Sequence, residues 1–163
     1  MADVHVRGLL DLQKFLDTLP AKLEANVMRG ALRAGANVIR TQAKANVPVK
    51  SGLLRAGLKI TTRSRRGVVT ASVKAGGKHG FIAPWIEFGT AAHKIASKKG
   101  WLSFGGIFAK SVDHPGAKPH PFMRPALDSE ANRAIVAAAE YMKKRLATKH
   151  GLDTADIEIE VES

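Results

Sequence analysis

Between Pro20 and Pro48 the chain carries one amphipathic pattern long enough to constrain everything around it. Leu23, Val27, Ala31, Ala34 and Val38 recur every three or four residues, the period of a helix with one buried face. Pro20 suits an early helical position, where its missing N–H costs nothing, and Pro48 prevents the helix from continuing. A helix from about Pro20 to Asn46 follows. Lys22, Arg29, Arg33, Arg40 and Lys44 fall on the opposite side by the 100° count. Gly30 and Gly35 lower intrinsic helicity but permit a packing partner to come close.

A second long helix is expected from Pro125, with Leu127, Ala131, Ala134, Ile135, Ala138, Met142 and Leu146 tracing its apolar side. Asp128 and Glu130 near its start, and Lys143, Lys144, Arg145 and Lys149 near its end, suit the helix dipole, with Gly151 at C′. Between the helices the period changes to two. Leu58 and Ile60, then Val69, Ala71 and Val73, alternate with polar residues around Arg65-Arg66-Gly67, which predicts a β-hairpin. Ser51 with Gly52 is expected to cap a short helical turn through Leu53, Leu54 and Arg55.

Near the N-terminus, Val4 and Val6 suggest a short strand, and Leu9, Leu12, Leu16 and Leu19 a helix. At the other end Ile157, Ile159 and Val161 alternate with Glu158, Glu160 and Glu162. This is a half-buried strand over about 156–162, whose acidic face could blunt a sheet edge or meet a basic neighbour. Residues of about 91–112 read as an extended hairpin arm, with Trp101-Leu102-Ser103-Phe104 turning at Gly105-Gly106 into Ile107-Phe108-Ala109. Two readings stand for its Trp101, Phe104 and Phe108: they pack on a neighbouring subunit, or they fold back onto their own domain. The fold class expected is α+β, one domain over 1–163, with a small, mainly antiparallel sheet packed by two long helices.

The cysteine-free sequence excludes disulfides and thiolate chemistry and fits a reducing cytoplasm. No apolar run approaches the ~20 residues of a membrane span, and Met1 to His5 has none of the marks of a signal peptide. Net charge is +12, unevenly spread. Residues 151–163 hold Asp153, Asp156, Glu158, Glu160 and Glu162 and no Lys or Arg, so the first 150 carry 26 basic residues against nine acidic, a net +17. Such a balance attracts polyanions, or serves solubility and an acidic protein partner. Arg29, Arg33 and Arg40 are the candidate contacts to DNA or to that partner. A solvated helix face explains them better than phosphate tracking, since no aromatics interleave for stacking.

Chemistry-bearing patterns are sparse. Glu87 lies between Trp85, Ile86 and Phe88, where a carboxylate needs a cation or several hydrogen-bond donors. A second acidic residue near it is lacking, so an ion pair or a capping role outranks general acid–base catalysis, and Arg124 is the candidate cation. His93, His114 and His120 match no zinc spacing, and no phosphate-binding loop, nucleophile elbow or zincin motif occurs. No metal and no cofactor is expected.

Trp85-Ile86-Glu87-Phe88-Gly89-Thr90, followed by His114-Pro115-Gly116 and by Pro119-His120-Pro121-Phe122-Met123-Arg124-Pro125-Ala126-Leu127, resembles the signature of the minor tail-component family of long-tailed bacteriophages. These are the gene-ten-like neck or tail-completion proteins of lambda-like phages. The opening Val4 to Pro20, the long helix after it and Val47-Pro48-Val49-Lys50-Ser51-Gly52-Leu53-Leu54-Arg55 also fit, the last as the link from helix to sheet. The resemblance implies a non-enzymatic virion protein of the neck or upper tail, assembled in the host cytoplasm. It would act in tail completion or head–tail joining, by ring-like self-association around the channel that DNA passes through. Its partners would be copies of itself and other neck or tail proteins, with no membrane. Glu87, Phe88, Gly89, Pro119, Phe122, Arg124 and Pro125, with Trp85 and the arm aromatics, would hold a corner near an assembly surface. The alternative is a basic nucleic-acid-binding module without sequence preference; a small hydrolase would need a catalytic pair that is missing.

Overall fold

The computed structural model describes residues 21–98 and 100–150, together with residues 13, 14 and 17. The strand expected at Val4 and Val6, Gly151 and the acidic strand over 156–162 lie outside the described residues. So does most of the Leu9–Leu19 helix, of which Gln13, Lys14 and Asp17 are helical. Helix α1 spans Ala21–Asn46 and short helix α2 Leu53–Gly57. Strands β1 (Leu58–Arg65) and β2 (Val68–Ala75) form the expected hairpin, with Leu58 opposite Ala75 and Arg65 opposite Val68. Arg66 and Gly67 both take positive φ, 51° and 78°, the geometry of a type I′ turn that matches strand twist. A 3₁₀ turn (Gly80–Ile82) leads into α3 (Ala83–Phe88), and α4 (Met123–His150) closes the described chain.

The architecture is α+β, as expected, but the strands form three two-stranded antiparallel ladders, not one sheet. The first is β1–β2, which α1 packs against. The other two belong to the arm. Strands β3 (His93–Ala96) and β6 (Ser111–His114) pair at its base, and β4 (Leu102–Phe104) and β5 (Ile107–Ala109) at its tip. The arm is thus longer than the Trp101–Val112 hairpin read from sequence, and residues 98–101 bulge from the outgoing strand between the two ladders. Their bulge follows from register: Ser97 N–H still bonds the Lys110 carbonyl, yet the next pair is Leu102 with Ala109.

Helices α1 and α4 pack antiparallel through small residues. Phe122 and Ala126 join Ala43, Val47, Leu54, Leu58 and Ala83 in one buried cluster, while Met142 and Leu146 meet Val27 and Ala31 in a second. Between them a Cβ on Gly35 would sit 2.6 Å from the Ala134 carbonyl oxygen, and one on Gly30 would strike the Tyr141 ring. Backbone therefore approaches backbone, and this sets which face of α4 is inside. Ala126, Ala134, Ala139, Met142 and Leu146 are buried, whereas Leu127 (50% exposed) and Ile135, both expected in the core, face outward. Large side chains cannot enter so narrow a seam. The expected Ser51 cap is also absent: Gly52 precedes α2 in the left-handed region, and no side chain caps it.

Gly35→Ala tests the seam. Alanine raises helix propensity by about 1 kcal/mol, but overpacking against the Ala134 carbonyl costs about 1–3 kcal/mol. The variant is expected to unfold at lower denaturant than the parent, measured by circular dichroism; a higher midpoint would show that the helices are not held at this distance.

Candidate functional site

The two sequence motifs meet at one point. In an α-helix the first backbone N–H groups have no partner within the helix. Here those of Phe122 and Met123 donate to Glu87 Oε2 at 2.8 and 2.9 Å, and that of Arg124 donates to Oε1 at 3.0 Å. The next residue is Pro125, which has no N–H to satisfy. One carboxylate on α3 therefore caps α4 completely, from 35 residues away. Its negative charge also faces the positive end of the helix dipole.

Neighbouring backbone bonds hold the carboxylate there. His120 N–H bonds the Ile86 carbonyl at 2.7 Å, and Thr90 and Ala117 exchange N–H···O bonds at 2.9 and 3.1 Å. Gly89 leaves α3 at φ 70°, and a Cβ there would lie 2.5 Å from the Ala117 carbonyl oxygen, so only glycine permits this crossing. Gly116, at φ 88°, is packed as closely against Thr90.

Glu87 is 7% exposed. Burial alone would raise its pKa. The three backbone N–H groups outweigh burial, helped by the nearby Arg124 charge, and hold the carboxyl below its ordinary value. With both oxygens occupied by backbone donors, Glu87 is placed as a structural cap and not as a proton-transfer group. The expected ion pair with Arg124 is corrected: Arg124 gives its backbone N–H, and its guanidinium lies over the Phe88 ring, 4.9 Å from the centroid.

The other candidates separate into core and surface. Phe122 is fully buried in the cluster around Leu58, so this candidate assembly residue is a core residue. Pro119 and Pro125 are exposed at the corner. Trp85 and Phe88 are exposed, and with Phe81 they form an aromatic stripe at i, i+4 and i+7, the Phe81 and Trp85 rings meeting edge to face at 5.5 Å. Phe81 was missed in the sequence; its helical spacing to Trp85 and Phe88 was the available signal. On the arm, Trp101 is 61% and Phe108 67% exposed, and Ile95 and Ile107 are exposed with them. Lys110 Nζ stands 5.5 Å from the Trp101 ring centroid. Trp101 and Phe108 thus do not fold back onto their own domain; the side chain of Phe104 lies outside the described residues. At the arm base His93 and His114, opposite each other, stack with centroids 5.1 Å apart.

Of the basic candidates, Arg29 bonds Asn26 on its own helix at 3.0 Å. Arg33 and Arg40 line a slot between α1, β1 and α4 instead of an open helix face. Lys59 and Tyr141, which no sequence pattern marked, line it too.

Residues 11–89 match one family model, described as "Bacteriophage HK97-gp10, putative tail-component". The match includes α1, the hairpin and the Glu87 motif and stops at Gly89, before the arm and α4. No curated protein and no solved structure matches the chain.

Glu87→Gln keeps the shape but can accept at one atom only, turning an amide NH₂ toward a backbone N–H. A buried donor left unpaired costs about 1–3 kcal/mol, so the variant should be less stable by that order at pH 7. The folded pKa is depressed, so the contribution is full above the ordinary carboxylate pKa and is lost as pH falls through the folded value. Denaturant titrations at pH 7 and in acid should show the gap between parent and variant closing in acid. A gap that does not depend on pH would contradict a charged cap.

Proposed function

Through residues 11–89 the chain belongs to the HK97-gp10-like family of bacteriophage tail components, and from that premise we propose a non-enzymatic role in the neck or upper tail, exerted by self-association through the arm. The observation that carries this reading is the arm's surface. A two-stranded ladder has no core of its own, yet this one presents Ile95, Trp101, Ile107 and Phe108 to solvent. Apolar groups gathered this way mark a surface meant to be covered.

A second apolar surface, the Phe81–Trp85–Phe88 stripe, lies on a different element. Two unlike surfaces on one subunit suit head-to-tail association, which closes into a ring when the rotation permits. On this reading the arm of one copy covers the stripe of the next, and the capped corner holds both at fixed positions. A ring around the channel would finish the tail or join it to the head, beside other neck or tail proteins, within the virion. The surplus basic charge then faces acidic neighbours or passing DNA without reading sequence.

Replacing residues 98–109 by Asn-Gly leaves the Ser97–Lys110 bond to close a two-residue hairpin. The shortened protein is expected to keep its unfolding midpoint and to fail to restore infectious particles to a phage lacking the gene. Normal yield from the shortened arm would overturn the reading. Changing Arg29, Arg33 and Arg40 together to Gln should spare the yield; its complete loss, with normal particles, would favour nucleic-acid binding as the function.

A further inference from the structure

Strand β1 has an open side. Among the described residues its one partner is β2, which leaves a row of backbone donors and acceptors along its other edge. The two faces of β1 differ sharply. Leu58 is buried and Ile60 and Thr62 half-buried, while Lys59, Thr61, Arg63 and Arg65 are exposed. Beside that edge lies a slot of about 510 Å³ between β1, α1 and α4, where Arg33, Arg40 and Lys59 stand near Ile60 and Tyr141. No carboxylate lines it. The Arg40 guanidinium gives one N–H to Asn37 Oδ1, yet its buried Nε–H has no partner.

Residues 156–162 have the complementary pattern. Asp156, Glu158, Glu160 and Glu162 alternate with Ile157, Ile159 and Val161, so an extended backbone puts all the carboxylates on one face. We infer that this segment adds to the open edge of its own chain's β1 as a third, antiparallel strand. Its apolar face continues the Leu58–Ile60 side over α1, and its carboxylates stand beside Lys59 and Arg63. A slip by one residue would turn every carboxylate inward, so the charge pattern also sets the register.

Direction and reach agree with this placement. Leu58 packs with Ala43 and Val47, whereas Ile60 shares the slot with Arg33 and Arg40, so β1 runs toward the N-terminal end of α1. Helix α4 runs the same way, from Phe122 beside Ala43 to Leu146 beside Val27. A chain turning back after His150 therefore meets β1 antiparallel. His150 lies nine residues past Tyr141 in the slot wall, ~14 Å of helix. Residues 151–163 span at most ~43 Å when extended, enough to return that distance and lie along β1.

The absence of native cysteine makes the test clean. Thr61→Cys is combined in turn with Glu158→Cys, Glu160→Cys and Glu162→Cys, and each pair is oxidised. At least one pair is expected to form an intramolecular disulfide, seen as a monomer of altered mobility on a non-reducing gel. Ser72, opposite Thr61 on β2, is the control. It would be two strand spacings from the added strand, ~9.6 Å, too far to bridge. Hydrogen exchange supplies the second readout: β1 amides facing away from β2 should be protected in the full chain and lose protection when residues 151–163 are removed. Dimeric disulfides would assign the segment to a neighbouring copy and overturn the placement. So would bridging from Ser72→Cys, no bridging from Thr61→Cys, or exchange unaffected by the truncation.

Discussion

The carboxylate of Glu87 on the first turn of α4 is the interaction on which the rest depends. A helix start buried without donors' partners is costly, and α4 begins inside the protein with Phe122 wholly enclosed. The usual remedy is a serine, threonine, aspartate or asparagine just before the helix. This chain has Phe122 there, spends that position on core packing, and borrows its cap from α3. The cap therefore fixes more than a helix end. It ties α3 to α4, and through Phe122 it ties both to Leu58 of the hairpin and Val47 after α1.

The same bond closes the arm. Everything from Gly89 to Pro121 leaves and re-enters the protein at this corner, pinned by the Thr90–Ala117 bridge and by His120 on the Ile86 carbonyl. The two glycines at the crossing let the strands pass at a distance that no side chain would allow. The outcome is a rigid base under an exposed hairpin. The arm's position is set by the core although its tip adds nothing to the core.

How much of this was legible follows from the range of each interaction. Helix α1 and the β1–β2 hairpin could be read because their signals are local: prolines bracket the helix, and Arg66-Gly67 supplies the turn. Glu87 was recognisable as a carboxylate in need of partners, but its partners are backbone groups, which carry no residue signature. Side-chain reasoning pointed to the Arg124 guanidinium instead. The face of α4 was misread because hydropathy favours Leu127 and Ile135, whereas the α1 seam at Gly35 admits only alanine. Only the pairing of two distant segments decides that, and periodicity within one of them does not contain it. Phe122 looked like a surface anchor for the same reason: its environment is assembled from five other stretches of chain.

The distribution of large apolar groups then acquires a meaning that their number alone lacks. Small residues fill the helix seam, and only Phe122, Leu58 and Leu146 are wholly enclosed among the larger ones. Aromatic surface is instead exposed at Phe81, Trp85, Phe88, Trp101 and Phe108. A chain selected only to fold would gain stability by exchanging these positions with the alanines inside, had the seam room for them. Leaving them outside leaves on the order of 25 cal/mol per Å² of apolar surface unrealised in the isolated subunit. That free energy becomes available when a neighbour covers both surfaces. On the proposed reading, assembly is then driven by what folding leaves uncovered, and the Glu87 corner ensures that both surfaces are held ready before the neighbour arrives.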